Sequence, residues 1–279
     1  MQTAAVFLEN QDFGSQAVAL ASRLNLPIVN SENAATAFDF YFCYSAKGLS
    51  LWAKISSKPS GETQGGSSSR LNCESIFSEL KIDFTQGALD FRRRFGQKGG
   101  DLILRAVGTL SKNAQILDLT AGLGRDAFIL ASNSLKVTSL ERNPYLFELL
   151  NSGLEFGKKH PRSIEVCERI NFINADAADF LLSTEFDQLF YDVIVYDPMF
   201  PQSKKTALPK KEMQILHKLI EAPNDESESE RVSELAFKLS KRLVIKRPLL
   251  GPCLIESCEP TAVFKSGSTR FDVYVTNAN

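Results

Sequence analysis

The segment Ile116-Leu-Asp-Leu-Thr-Ala-Gly-Leu-Gly-Arg-Asp-Ala-Phe-Ile-Leu130 is the point from which the rest of the chain can be read. Ile116, Leu117 and Leu119 form an apolar run short enough for a buried strand. Gly122 and Gly124 predict a tight turn, and Ala127–Ser132 predicts a helix packed back on the strand. A strand, a glycine turn and a helix bring a helix N-terminus and bare backbone N–H groups to one point. Such a point suits the polar end of a nucleotide-like cofactor.

The pattern continues outward as alternation. Strands are predicted at 115–119, 135–140, 170–174 and 191–196, and helices at 125–132, 144–157 and 177–183. Alternation of this kind predicts an α/β fold, a doubly wound parallel sheet with helices on both faces. Val193-Ile-Val195 is continuously apolar, as in a strand buried on both sides. Arg242–Pro248 predicts a fifth strand. Ala262–Lys265 and Arg270–Val275 predict a closing antiparallel hairpin around Ser266-Gly-Ser268. Asp101–Leu110 predicts a helix leading into the first strand of this sheet.

Residues 1–90 read as a small N-terminal α+β cap, and 91–279 as the main domain. In the cap, Ala4–Leu8, Phe38–Tyr44, Leu49–Ile55 and Leu80–Phe84 are predicted strands and Ser15–Leu24 a helix, with Lys47-Gly48 as a hairpin turn. The Ser/Gly-rich run 56–69 predicts a loop or boundary.

Composition narrows the classes. The 279 residues carry 32 basic and 33 acidic side chains, so bulk charge announces no nucleic-acid partner, and basic surface must come from local clusters. Cys43, Cys73, Cys167, Cys253 and Cys258 are scattered and form no CxxC pair, which predicts reduced thiols and a cytoplasmic protein. His160 and His217 are the two histidines and stand alone, so no metal site is expected. No apolar run has the length of a membrane span. Met1-Gln-Thr-Ala-Ala-Val-Phe-Leu lacks the basic start of a signal peptide.

The candidate chemistry lies at predicted strand ends. Asp118 closes the first strand before Gly122 and Gly124. Glu141 closes the second, nineteen residues after Gly122, where an acid can accept from ribose hydroxyls. Gly122-x-Gly124-x-x-Ala127 fits a dinucleotide fingerprint as well, so the glycines leave NAD and S-adenosylmethionine both open. Asp176 follows the third strand, where it can reach an adenine edge or cap the next helix. Asp197-Pro-Met-Phe-Pro201 follows the fourth. It resembles the Asn/Asp-Pro-Pro-Phe/Tyr signature of amino methyltransferases, with Met199 in place of the second proline. An exocyclic amine is a poor nucleophile because its lone pair is delocalised into the ring. The Asp197 carboxylate and the Pro198 carbonyl can each accept one N–H, turning the lone pair toward a methyl donor and stabilising charge on nitrogen. Phe200 can stack on a base taken out of its helix. A strong base is not needed, because the amine becomes acidic once methylated.

Five motifs together are similar to one family. They are Asp118-Leu-Thr-Ala-Gly-Leu-Gly-Arg-Asp126, Leu140-Glu-Arg-Asn-Pro144, Asp197-Pro-Met-Phe-Pro201, Lys210-Lys-Glu-Met213 and Val244-Ile-Lys-Arg-Pro248. Phe91-Arg-Arg-Arg-Phe-Gly and Arg270-Phe-Asp272 also match. The chain resembles the RsmJ family over roughly residues 82–275. These are bacterial methyltransferases that make N2-methylguanosine in small-subunit ribosomal RNA. The resemblance implies a Rossmann-like class I fold and S-adenosylmethionine as cofactor. It implies a cofactor site of Arg125, Asp126, Glu141, Arg142, Asp176, Ala177 and Asp197 around Asp118, Gly122 and Gly124. It further implies one target, guanosine 1516 of 16S ribosomal RNA, free or in the assembling small subunit. On that reading Arg92, Arg93, Arg94, Lys204, Lys205, Lys210, Lys211, Lys246 and Arg247 become candidate RNA contacts. The acidic run Glu221–Glu234 is expected to be a solvated loop and helix start without chemistry. The residues also leave open three other readings: an amino methyltransferase acting on DNA or protein, a nicotinamide-dependent oxidoreductase, and a non-catalytic RNA-binding module.

Overall fold

A computed structural model describes residues 3–56, 75–85, 101–183, 191–198, 210–220 and 226–275. The chain divides into two compact units. One comprises 1–81 with 202–221, and the other 82–201 with 222–279.

The first unit holds a five-stranded sheet. Its strands are β1 (Ala4–Phe7), β2 (Ile28–Val29), β3 (Phe40–Ser45), β4 (Gly48–Ser56) and β5 (Ser75–Leu80), in the order β2-β1-β3-β4-β5. β1 runs parallel to β2 and β3, while β3, β4 and β5 form an antiparallel meander. Helix α1 (Gly14–Leu24) follows β1 and buries Ala17, Leu20 and Ala21. α2 (Glu32–Ala35) is a single turn capped by Ser31. The hairpin at Lys47-Gly48 forms as expected, with Gly48 at φ 99°. The expected strand at 80–84 does not form; the strand is Ser75–Leu80. Residues 82–85 instead turn around Asp83, whose Oδ1 accepts from the Thr85 N–H at 2.7 Å. The sequence boundary near residue 90 compares with a division here at 81, and a late segment rejoins the first unit. Its helix, Lys211–Leu219, packs on β4 and β5 with Ile215, Leu216 and Leu219 buried.

The second unit is the α/β body. Its strands are β6 (Gln115–Asp118), β7 (Lys136–Leu140), β8 (Ile170–Ile173), β9 (Val193–Tyr196), β10 (Arg242–Pro248), β11 (Ala262–Ser266) and β12 (Thr269–Val275). They are ordered β11-β12-β10-β9-β6-β7-β8, and β12 alone runs opposite in direction to the other six. The order reverses at β6, with β7 on one side and β9 on the other. In an open parallel sheet that reversal leaves a crevice at the carboxyl ends of the strands. The helices of this unit are α3 (Leu102–Val107), α4 (Arg125–Ser132), α5 (Pro144–Lys158), α6 (Ile164–Cys167), α7 (Ala177–Leu181) and α9 (Glu226–Leu239), with α8 denoting Lys211–Leu219 of the first unit. α3 is shorter than the expected Asp101–Leu110 because Gly108, at φ 81°, turns the chain out of the helix.

Two parts of the sequence acquire roles that local pattern does not show. Phe84 leaves the strand geometry expected of it and stacks between Phe128 of α4 and Phe172 of β8, at centroid distances of 5.4 and 6.3 Å. It is 1% exposed, so its ring contributes roughly 1.5–3 kcal/mol of burial. The acidic run from 226 onward is a full helix, with Ser229, Val232, Ser233 and Ala236 buried. Glu230 is exposed and Glu228 and Glu234 are half-buried, while the helix packs on α7 and β10. Glu221–Asp225 lie outside the described residues.

Candidate active site

The tips of β6, β7, β8 and β9 are laced together by backbone. Leu119 donates to Val195 O at 2.9 Å, Ala121 to Leu140 O at 2.7 Å, and Glu141 to Ile173 O at 3.0 Å. Thr120 adds a side-chain tie, its Oγ1 accepting from the Asp197 N–H at 2.8 Å. These bonds place Asp118, Gly122, Glu141 and Asp197 around the crevice. Thr120 was not among the expected site residues. Its signal in the sequence is only a hydroxyl between a strand and its glycine turn.

Gly122 and Gly124 both have positive φ, 54° and 69°. Their surroundings differ. A Cβ on Gly124 would meet Leu150 Cδ2 and Phe84 Cζ at 2.9 Å, whereas one on Gly122 would meet nothing within 4 Å. Gly124 is therefore the packed side of the turn and Gly122 its open side. α4 begins at Arg125, and Asp126 lies in its first turn.

Glu141 braces the same turn. Its Oε2 accepts from the Gly122 N–H at 3.1 Å and its Oε1 from the Asn143 N–H at 2.9 Å. Asn143 in turn caps α5 by accepting from Tyr145 and Leu146 N–H, with Pro144 at the first helical position. Asn174, also not anticipated, donates to Glu141 O at 2.7 Å. Asp118 is buried beneath the turn, accepting from Ser139 Oγ at 2.7 Å and Thr120 N–H at 3.1 Å. Burial pushes both acids up to about 7, against the hydrogen bonds that favour their charged forms.

Asp176 is the cap of α7, its Oδ1 accepting from Ala178 N–H at 2.8 Å. Its other oxygen lies 3.9 Å from Arg142, which also contacts Glu228 of α9 at 3.3 Å. The acidic helix, expected to be inert, thus reaches a candidate cofactor residue. Ala177 packs against the core cluster under α7.

Asp197 and Pro198 follow β9, directly beside β6, with Pro198 buried. Phe200 lies outside the described residues, as do Met199 and Pro201. The surprise is Lys246. Expected as an RNA contact, it stands 2.5 Å from Asp197 Oδ2 and 3.9 Å from Asp126 Oδ2. The register of β10 on β9 pairs Ile245 with Tyr196, so the next residues, Lys246 and Asp197, emerge together. Arg247 is corrected as well. It is 1% exposed, and its Nε donates to Pro252 O at 2.7 Å, which leaves it no surface to offer RNA. Burial raises the Asp197 carboxyl above the ordinary range, with Asp126 adding to the rise and Lys246 opposing it. Lys210 and Lys211 are exposed on the first unit. Arg92, Arg93, Arg94, Lys204 and Lys205 lie outside the described residues. Among the described residues no three or more acidic, histidine or cysteine side chains are grouped so as to hold a metal ion. None of the described helices is long and apolar enough to cross a membrane.

The geometry fits a nucleoside-bearing cofactor: an open glycine face, a helix N-terminus, and an acid at the tip of the neighbouring strand. A family model described as "Putative SAM-dependent methyltransferase" matches residues 68–276. With the reversal at β6, this defines the class as a Rossmann-like methyltransferase that uses S-adenosylmethionine. A solved SAM-dependent methyltransferase from Neisseria gonorrhoeae shares 26% identity at a TM-score of 0.67, covering 99% of this chain and 97% of its own. A ribosomal RNA small subunit methyltransferase J from Coxiella burnetii is 39% identical over 265 residues, 94% of this chain and 92% of that protein. Its counterpart from Saccharophagus degradans is 38% identical over 207 residues, 70% of this chain and 75% of that protein. The chain belongs to the ribosomal RNA small subunit methyltransferase J family. That membership sets the nicotinamide reading aside.

Proposed function

We propose that this enzyme methylates the exocyclic N2 of a guanosine in 16S ribosomal RNA, on free RNA or the assembling small subunit, in the cytoplasm. The observation that carries the reading is Asp197-Pro198 at the end of β9, tied through Thr120 to the strand that bears the glycine turn. The names of the relatives support the RNA as substrate.

When bound, S-adenosylmethionine supplies an electrophilic methyl group on a sulfonium. On this reading Glu141 would accept from ribose hydroxyls, Asp176 would hold the adenine edge, and the Gly122 turn with the start of α4 would hold the polar end. Arg142, bridging toward Asp176 and Glu228, steadies that wall. Asp197 and the Pro198 carbonyl each accept an N–H from the substrate amine. Transfer would form the N–C bond as the donor's S–C bond breaks to leave a neutral thioether, and these two acceptors would stabilise the charge growing on nitrogen. The proton released from nitrogen would pass to the Asp197 carboxylate. Since Lys246 engages Oδ2, acceptance from the amine falls to Oδ1. Phe200 supplies the stacking face, and Arg92–Arg94, Lys204, Lys205, Lys210 and Lys211 supply phosphate contacts.

The test is transfer of labelled methyl to under-methylated small-subunit RNA, with DNA and protein acceptors compared in the same assay. Asp197→Ala is expected to lower the rate by about 10²-fold or more. Wild-type activity in that variant would remove the assigned role, and methylation of DNA or protein in place of RNA would replace the substrate.

A further inference from the structure

Asp197 is a difficult group to keep charged. Asp126 faces it from α4, Asp118 lies close by from β6, and Lys246 faces it from β10. Burial makes ionisation of Asp197 costly, and the charge of Asp126 adds to that cost. A protonated Asp197 would present an O–H donor where the chemistry requires an acceptor. The ammonium of Lys246 stands between Asp197 and Asp126 and opposes that outcome. Its position is set by the sheet, because β10 is hydrogen-bonded in register to β9 up to the residues just before both side chains.

We propose that Lys246 is a positioning residue for methyl transfer: by pairing with Oδ2 of Asp197 it holds that side chain as an ionised acceptor, and through Asp126 it ties the acceptor to the first turn of the cofactor helix. The inference rests on the reading of Asp197 as amine acceptor and deepens it. As an ammonium Lys246 accepts no proton, so its role is exerted through Asp197.

The role has a signature that mere structural support lacks. Single-turnover methyl transfer at saturating cofactor and RNA is measured between about pH 5 and pH 9 for wild type, Lys246→Met and Lys246→Arg. Lys246→Met is expected to move the acid limb of the profile upward by about 1–3 pH units, so that its deficit is large at neutral pH and shrinks in alkali. Lys246→Arg, which keeps the charge, is expected to retain the wild-type limb. Saturating cofactor keeps contributions from Asp118 and Glu141 common to all three. Lys246→Gln serves in place of the Met variant if the latter does not fold, with S-adenosylhomocysteine binding as the check on an intact site. A loss of equal factor at every pH, an unchanged rate, or an Arg variant that behaves like the Met variant would overturn the proposal. Asp197→Ala run alongside separates the two failures. If that variant is active, the amine-acceptor reading is what has failed; if it is inactive and the Lys246→Met limb has not moved, the failure is confined to Lys246.

Discussion

Asp118 and Glu141 show how much of this site is governed by desolvation. Each is buried, and each is pushed up to about 7 from ordinary values of 3.8 and 4.5. Between those limits the folded protein holds protons that the unfolded chain has released. The unfolded state then binds fewer protons than the native state, so stability falls as pH rises through this window and levels off above it. Urea unfolding at about pH 5 and about pH 8 is expected to show the higher midpoint at the lower pH. Asp118→Asn, which cannot ionise, is expected to flatten the dependence; an equally steep dependence in that variant would refute the assignment. Arg247 gives the converse lesson. Beside Lys246 in sequence it looks like half of a basic patch, yet one residue's difference in a strand reverses the face, and Arg247 is enclosed.

The glycine turn is an element with two unlike sides. Any side chain at Gly122 or Gly124 incurs the left-handed backbone cost, roughly 1–2 kcal/mol. Gly124→Ala also drives a methyl into Leu150, Phe84 and Phe172, which adds about 1–3 kcal/mol of overpacking. Gly122→Ala meets open space and is expected to lose less stability while weakening cofactor binding. Denaturant midpoints and calorimetry with S-adenosylhomocysteine check the contrast, and equal stability losses would contradict it. The closing hairpin explains a different pairing of motifs. Arg270 meets Asp272 through two hydrogen bonds of 2.7 and 3.0 Å, and its Nη1 donates to the carbonyls of Pro248, Leu249 and Gly251. The runs Val244–Pro248 and Arg270–Asp272, distant in sequence, are thus one structural joint that fixes the end of β10 beyond Lys246.

For the molecule as a whole, a net charge of −1 leaves RNA affinity to local clusters. Lys210 and Lys211 are exposed and Arg247 is not. If the first two contact phosphate, Lys210→Ala and Lys211→Ala each weaken RNA binding across sequences and reduce the salt slope by roughly 1. Arg247→Ala is expected to leave the slope unchanged and to reduce stability instead. Filter binding across a salt series measures both, and an unaltered slope in the lysine variants would remove them from the interface. The two-unit division shows a limit of reading by composition. The helix Lys211–Leu219 follows the methyltransferase motif in sequence, yet packs with the first unit because its apolar stripe fits β4 and β5.

The amino-acid order alone was enough for the α/β body, its strand-turn-helix centre and the acids at the strand ends. Those features are local: apolar runs of strand length, glycines where φ must be positive, and charged residues where a strand stops. Thr120 as the tie to Asp197, Lys246 as its counter-ion, Arg247 in the interior, Phe84 as a core plug and Glu228 against Arg142 depended on the folded chain. Each is a pairing across a large sequence separation, set by inter-strand register and helix packing. A residue's own type and immediate neighbours carry no record of which distant group will stand opposite it.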